Sequence, residues 1–230
     1  MSKRYEQAAK MVDSNKLYTV NDAVALLSQF PKTKFNETVD LSFNLGVDPK
    51  HADQLVRGTV VLPNGTGKSV RVAVFAQGDK VKEAQEAGAD FVGFKDLVEK
   101  IKGGWADFDV AVASPETMSE VGKLGKVLGP KGLMPSPKAG TVTPNIGRAV
   151  KEVKAGRIEF KVDKDGNLHM VVGKSSFAKE KLAENIVAAI ESVIHARPAA
   201  VKGQYLRGIA LSSTMSPGIR LDIAKFAAKE

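Results

Sequence analysis

The stretch TVDLSFNLGV, residues 38–47, decides the fold. Val39, Leu41, Phe43, Leu45 and Val47 alternate with Thr38, Asp40, Ser42 and Asn44. A period of two marks a strand with one buried face and one wet face. A second strand is predicted over residues 54–62, ending at the turn Pro63-Asn64-Gly65. Two strands alone are marginal. Upstream there are only helix signals. Residues 5–12 carry a thin apolar stripe. Residues 20–30 place Val20, Ala23, Val24, Leu27 and Phe30 at helical spacing, with Asn21 and Asp22 near the start and Pro31 as the stop. The missing strand partners must come from further along the chain.

The grammar changes after Gly65-Thr66-Gly67. VRVAVFA, residues 70–76, is β-branched and apolar on both faces, as in a covered sheet. Helix-like residues 81–87 end at Gly88. A short strand over 90–94, a helix over 96–102 and a buried strand over 108–113 follow. Ser114 and Pro115 then read as N-cap and first helical position, and a helix over 145–154 closes the unit. Such alternation predicts an α/β layer with a parallel sheet.

The last third changes again. Strands over 157–162 and 168–172 flank Asp163-Lys164-Asp165-Gly166-Asn167, which reads as a hairpin connection. Residues 177–196 form the strongest helix pattern, with Leu182, Ile186, Val187, Ile190, Val193 and Ile194 on its apolar face, and Pro198 follows. A final strand covers 205–213. The half-wet strands of both ends are expected to join. The fold class is therefore α/β in two domains: a discontinuous α+β domain (1–67 and 157–230) with a separate α/β domain (68–156) inserted at an exposed turn.

Among 230 residues, hydrophobic side chains make up 43% and charged ones 26%, with a formal net charge of +8 and no cysteine. That balance favours an acidic partner. A membrane is not expected, because no apolar run reaches spanning length and the N-terminus lacks a signal-peptide core. Residues 121–151, VGKLGKVLGPKGLMPSPKAGTVTPNIGRAVK, contain no acidic side chain. They do contain Lys123, Lys126, Lys131 and Lys138. This reads as a cationic Gly/Pro-rich loop suited to a polyanion.

Enzyme signatures fail on spacing. Gly65-Thr66-Gly67-Lys68-Ser69 resembles the tail of a phosphate loop, yet Leu62 occupies the position of the first glycine and a strand follows. Gly122, Gly125 and Gly129 do not fit a dinucleotide fingerprint. His51, His169 and His195 share no metal-ligand spacing, and no serine sits in a nucleophile elbow. His195 reads as a charge complement at a helix end. Asp163, Asp165 and Asn167 alternate as in a calcium loop, but Gly166 precedes Asn167 and no bidentate Glu follows, so a tight turn is favoured. No cofactor is expected. Phe35 between Lys32 and Lys34 fits either a core aromatic or an apolar plate beside phosphate-binding charge. SSTMSPG, residues 212–218, fits either a polar loop or hydroxyls reaching ribose and phosphate.

VRGTVVLPNGTGKSVRVAVFA (56–76), GKVLGPKGLMPSPKAGTVTPNI (125–146), KAGRIEFKVDKDGNLH (154–169) and SSTMSPG resemble bacterial large-subunit ribosomal proteins of the L-one family over nearly the whole chain. The resemblance implies a cytoplasmic, ribosomal, non-enzymatic protein with a Rossmann-like inserted domain. It implies that the discontinuous domain binds large-subunit ribosomal RNA through Lys34, Phe35, Thr38, Asp40, Lys161, Asp163, His169, Ser213, Thr214, Met215 and Ser216. The family's motif has Gly where Ser216 stands. Lys123, Lys126, Lys131 and Lys138 would form a secondary contact to RNA or exit-site tRNA. Repression of the chain's own operon mRNA and a monomeric free state are also implied. The competing readings are an α/β enzyme acting on a phosphorylated substrate and a general nucleic-acid packaging protein.

Overall fold

The computed structural model describes residues 2–137 and 140–227. Helix α1 spans Lys3–Met11 and α2 spans Val20–Gln29. The cap of α2 is Thr19, whose hydroxyl accepts the Asp22 N–H and donates to the Asp22 carboxylate. Strand β1 is Thr38–Leu45 and β2 is Arg57–Val61, preceded by one 3-10 turn. Next come β3 (Val72–Phe75), α3 (Asp79–Glu86), β4 (Phe91–Gly93), α4 (Lys95–Lys102) and β5 (Val110–Ala113). Short helical turns α5 (Met118–Val121) and α6 (Gly125–Leu128) lead to α7 (Ile146–Lys154). The chain ends with β6 (Arg157–Lys161), β7 (Asn167–Lys174), α8 (Lys179–His195), β8 (Leu206–Ser213), β9 (Ile219–Arg220) and α9 (Ala224–Ala227).

The class is mixed α/β. The chain divides into two compact units, one running to Gly67 and resuming at Ile158, the other Lys68–Arg157. In the first, four strands lie in the order β7-β1-β8-β9, with β1 antiparallel to both neighbours. Val39, Leu41, Phe43 and Leu45 are buried, and α8 supplies Leu182, Ile186, Ile190, Val193 and Ile194 to the same core. Burial of each such side chain stabilises by about 1.5–3 kcal/mol. Val187 lies only partly inside, while Ala189 and Asn185 take buried places on the helix.

In the second unit, three parallel strands lie in the order β4-β3-β5. Ala73 and Phe75 face a core with α4, α5 and α6 residues, whereas Val72 and Val74 face one built with α3 and α7. A strand packed on both faces has no polar row, which is why residues 70–76 read as continuously apolar.

One local expectation needs correction. Strands β6 and β7 do not form a hairpin sheet: β6 joins β2 while β7 joins β1, and a single antiparallel bridge, Val162 to Leu168, remains between them. β7 pairs with β1 from Thr38 to Asn44, so its edge is taken by the first strand and not by its neighbour in sequence. Ser114 is the N-cap and Pro115 opens the helical turn as expected; the turn is 3-10, and the Ser114 hydroxyl donates to Thr117 Oγ1 instead of capping a backbone N–H.

The exit from β2 is fixed by a buried amide. Asn185 Oδ1 accepts the Asn64 N–H (3.0 Å), and Nδ2 donates to the carbonyls of Gly65 (2.9 Å) and Val172 (2.8 Å). Gly67 has φ +71°, and a Cβ there would lie 2.7 Å from the Phe177 ring. Only glycine satisfies both constraints. Asn185→Ala removes a hydrogen bond from three backbone groups and is expected to cost about 2–3 kcal/mol, read as a lower urea midpoint. An unchanged midpoint would contradict the role given to this amide.

Candidate nucleic-acid interface

The pleat of β1 turns Thr38, Asp40, Ser42 and Asn44 away from the buried face. The register sets His169 opposite Ser42, Asn167 opposite Asn44, and Ser212 opposite Asp40. Ser42 Oγ lies 3.0 Å from His169 Nδ1, and Asn44 Nδ2 donates to Asn167 Oδ1 at 3.0 Å. The outer face of the sheet is thus an ordered polar row.

At the start of β1 the chain is locked by Glu37, a buried carboxylate. Its Oε2 accepts the Ser213 hydroxyl (2.6 Å) and its Oε1 accepts Arg4 Nη1 (3.3 Å). Its backbone N–H donates to Ser175 Oγ, and its carbonyl accepts the Ser175 N–H. Arg4 also donates to the carbonyls of Pro31 and Met215. Thr214 bridges to Thr38 in both directions: its N–H donates to the Thr38 carbonyl (3.0 Å), and its Oγ1 accepts the Thr38 N–H (3.1 Å). Ser216 Oγ accepts the Ser213 N–H at 2.8 Å. Lys174 Nζ donates to Thr38 Oγ1 at 2.7 Å. This framework leaves two large apolar side chains in solvent, Phe35 at 54% and Met215 at 49% exposure. Lys34 is exposed beside Phe35. Phe35 is therefore not a core aromatic.

The other end of β1 meets the turn after β6. Asp163 Oδ1 accepts the N–H groups of Asn167 (2.7 Å) and Asp165 (2.9 Å). These backbone bonds, led by that from Asn167, hold its carboxyl below the usual range. Lys161 is exposed at the end of β6.

The anticipated residues thus form two groups, roughly 20 Å apart along β1 at about 3.4 Å per residue. Thr38, Ser213, Thr214, Met215 and Ser216, with Lys34 and Phe35 just before β1, lie at one end. Asp163 and Lys161 lie at the other, and Asp40 and His169 stand between. One member differs from the rest. Ser213 pairs with Val39 on the buried side, and its hydroxyl is used by Glu37, so it supports the loop from beneath. Sequence reasoning missed Glu37, Arg4 and Ser175, which no local pattern marks. Ser42, Asn44 and Asn167 were findable, since the same alternation that picks out Asp40 picks out its neighbours.

In the second unit, the stretch read as a loop begins as packed helical turns, with Val121, Leu124 and Leu128 buried. Lys123, Lys126 and Lys131 are exposed; Lys138 lies outside the described residues. Lys123 Nζ pairs with Glu120 Oε1 at 2.6 Å, so an acid just before the stretch engages its first lysine. The Lys123 hydrogen bond lowers the Glu120 carboxyl, with added charge from Lys102 and Lys95 of α4. A lysine cluster spanning two elements is present that the linear stretch alone does not reveal. Among the described residues no group of three His, Cys, Asp or Glu could hold a metal, and no helix is long and apolar enough to cross a membrane.

A locked loop pair thus displays a ring and a thioether beside Lys34, at the end of a polar sheet face. The family model for the Ribosomal protein L1p/L10e family matches residues 27–217, and the chain belongs to that family. It is accordingly a structural protein of the large ribosomal subunit in the cytoplasm, with a role in binding ribosomal RNA.

Asp40 gives this surface a pH signature. Burial raises its carboxyl above 3.8, opposed by the charges of Lys174 and His169. The folded chain therefore holds this proton more tightly than the unfolded chain, and stability falls as pH climbs from 3.8 through the raised value. Asp40→Asn is expected to be more stable than the parent at neutral pH, with the gap closing below pH 3.8. Urea midpoints at the two pH values check this; a gap equal at both rejects it.

Proposed function

We propose that the unit built from both chain ends grips a folded segment of large-subunit ribosomal RNA along the strip just described. The observation that carries this reading is the exposure of Phe35 and Met215 on a framework fixed by Glu37, Arg4 and Thr38. Lys34 and Lys161 neutralise phosphates, Phe35 and Met215 lie against base or ribose faces, and the Thr38, Thr214 and Ser216 region meets the backbone. Asp40, Asp163 and His169 read ribose hydroxyls or base edges in the middle and at the far end. Ser213 holds the loop.

The inserted unit would contribute the second contact, with Lys123, Lys126, Lys131 and Lys138 facing exit-site tRNA and assisting its release. A leader in the chain's own operon mRNA that folds into the same shape would occupy the same strip, which makes the protein a translational repressor. The free protein acts as a monomer and needs no cofactor.

A large-subunit rRNA fragment titrated across a salt series tests the main reading. Phe35→Ala and Met215→Ala are each expected to cost about 1–3 kcal/mol of binding. Lys34→Ala should lower the salt slope by about one. Equal affinity for an unrelated duplex, or parental affinity in both apolar variants, would overturn the proposal. The operon leader should compete with the fragment for one site.

A further inference from the structure

A second feature of the outer sheet face lies away from the Phe35 and Met215 end. A depression of about 430 Å³ opens over β8, floored by Gly208 and Ala210 and flanked by Arg207, Arg220, His169 and Leu17. That volume falls within the range of small-ligand sites, about 300–1,000 Å³. Its floor is flat because the outward positions of β8 carry almost no side chain; a Cβ on Gly208 would meet nothing within 4 Å. A sequence shift between Asn44 and Leu45 in the pairing with β8 leaves Arg207 as an extra residue. Arg207 lies over Gly46, where a Cβ would come 3.2 Å from its Nε and 2.1 Å from the Gln204 carbonyl oxygen. Ala210 pairs with Arg220 across β8 and β9. Neither guanidinium has a hydrogen bond or ion pair among the described residues. Ser42 engages His169 Nδ1, leaving Nε2 without a partner there. Leu17, 56% exposed, forms an apolar rim.

We infer that this depression seats one unpaired nucleotide of the bound RNA. Its base lies flat on Gly208 and Ala210 against Leu17, and its phosphate lies between Arg207 and Arg220. A flat small-residue floor fits a planar ring, and guanidinium groups pair with phosphate and stack on bases. A base within a duplex cannot reach such a floor, so the nucleotide is a bulged or loop residue. The inference rests on the RNA-binding reading and adds a subsite to it.

The test titrates isotope-labelled full-length protein with adenosine 5′-monophosphate, uridine 5′-monophosphate and inorganic phosphate, followed by NMR. The nucleotides should shift the Gly208 and Ala210 amides and both Arg Nε–H signals saturably. Phosphate should move only the Nε–H signals, at about tenfold higher concentration. Gly208→Val adds bulk over the floor, where a Cβ meets nothing within 4 Å, and suits a strand; it should keep the folded spectrum and lose the nucleotide response. With the rRNA fragment, Arg207→Ala and Arg220→Ala should each lower the salt slope by about one. No saturable shift, a phosphate response equal to that of the nucleotides, or a nucleotide response surviving Gly208→Val overturns the seat. If the fragment binds and Phe35→Ala weakens it while nucleotides cause no shift, the seat fails alone. If nucleotides saturate but the fragment does not bind, the seat stands and the ribosomal RNA strip fails.

Discussion

Strand β1 is hydrogen-bonded along both edges to strands from the distant end of the chain, β7 on one side and β8 on the other. No arrangement of the first 67 residues alone can satisfy that strand, since β2 belongs to a different sheet. The chain must leave after β2, complete a separate unit with its own two cores, and return before the first core can close. The crossing is held by Asn185 from the last long helix, so the point of departure is fixed by a residue far downstream. Such long-range closure is slow to form, because loop entropy is lost before the contacts are gained. It produces a sheet whose buried face is supplied by both ends and whose outer face remains available.

Closure also positions the loops that display Phe35 and Met215. A carboxylate as buried as Glu37 is costly unless paired and hydrogen-bonded. Arg4 and Ser213 supply those partners from the first helix and from the end of β8. Arg4 and Ser213 bond the Glu37 carboxylate, Arg4 reaches on to the carbonyls of Pro31 and Met215, and Ser175 bonds the Glu37 backbone, so these segments are tied to this residue or to its arginine partner. The consequence is rigidity where Phe35 and Met215 are displayed. A backbone braced before binding loses less freedom on contact.

The sequence reading succeeded where a periodicity reports burial directly. The alternation in residues 38–47 and the unbroken apolar run in residues 70–76 mirror one-faced and two-faced sheets. It failed where the partner is remote. Strands β6 and β7 sit on either side of a good turn, and local logic joins them; the competing pairings to β2 and β1 are invisible to it. Likewise the Gly- and Lys-rich residues 121–128 read as loop, because Leu124 and Leu128 show too few turns for a helical period to register. Glu37 and Asn185 are ordinary polar letters until three-dimensional contacts reveal them as buried. For the proposed binding strip, the exposed members were named through the family resemblance, whereas the side chains that fix them carry no sequence signal.

The distribution of charge separates affinity from selectivity. A surface built only to hold a polyanion gains nothing from carboxylates, yet Asp40 and Asp163 stand on the strip. Asp163 is kept ionised by backbone N–H groups, so it accepts hydrogen bonds and repels phosphate. Asp40, whose burial favours the neutral acid, stands near Lys174 and His169, which pull it the other way. In its ionised form either carboxylate repels a phosphate at close range. Each accommodates a ribose hydroxyl or a base amino group at the same place. The net charge of +8 draws in any nucleic acid. On the proposed reading, the two acids penalise every strand that does not turn donors toward them. Discrimination by an unfavourable alternative is more selective than added positive charge, and it accounts for a chain rich in lysine keeping acidic side chains on the strip assigned to RNA.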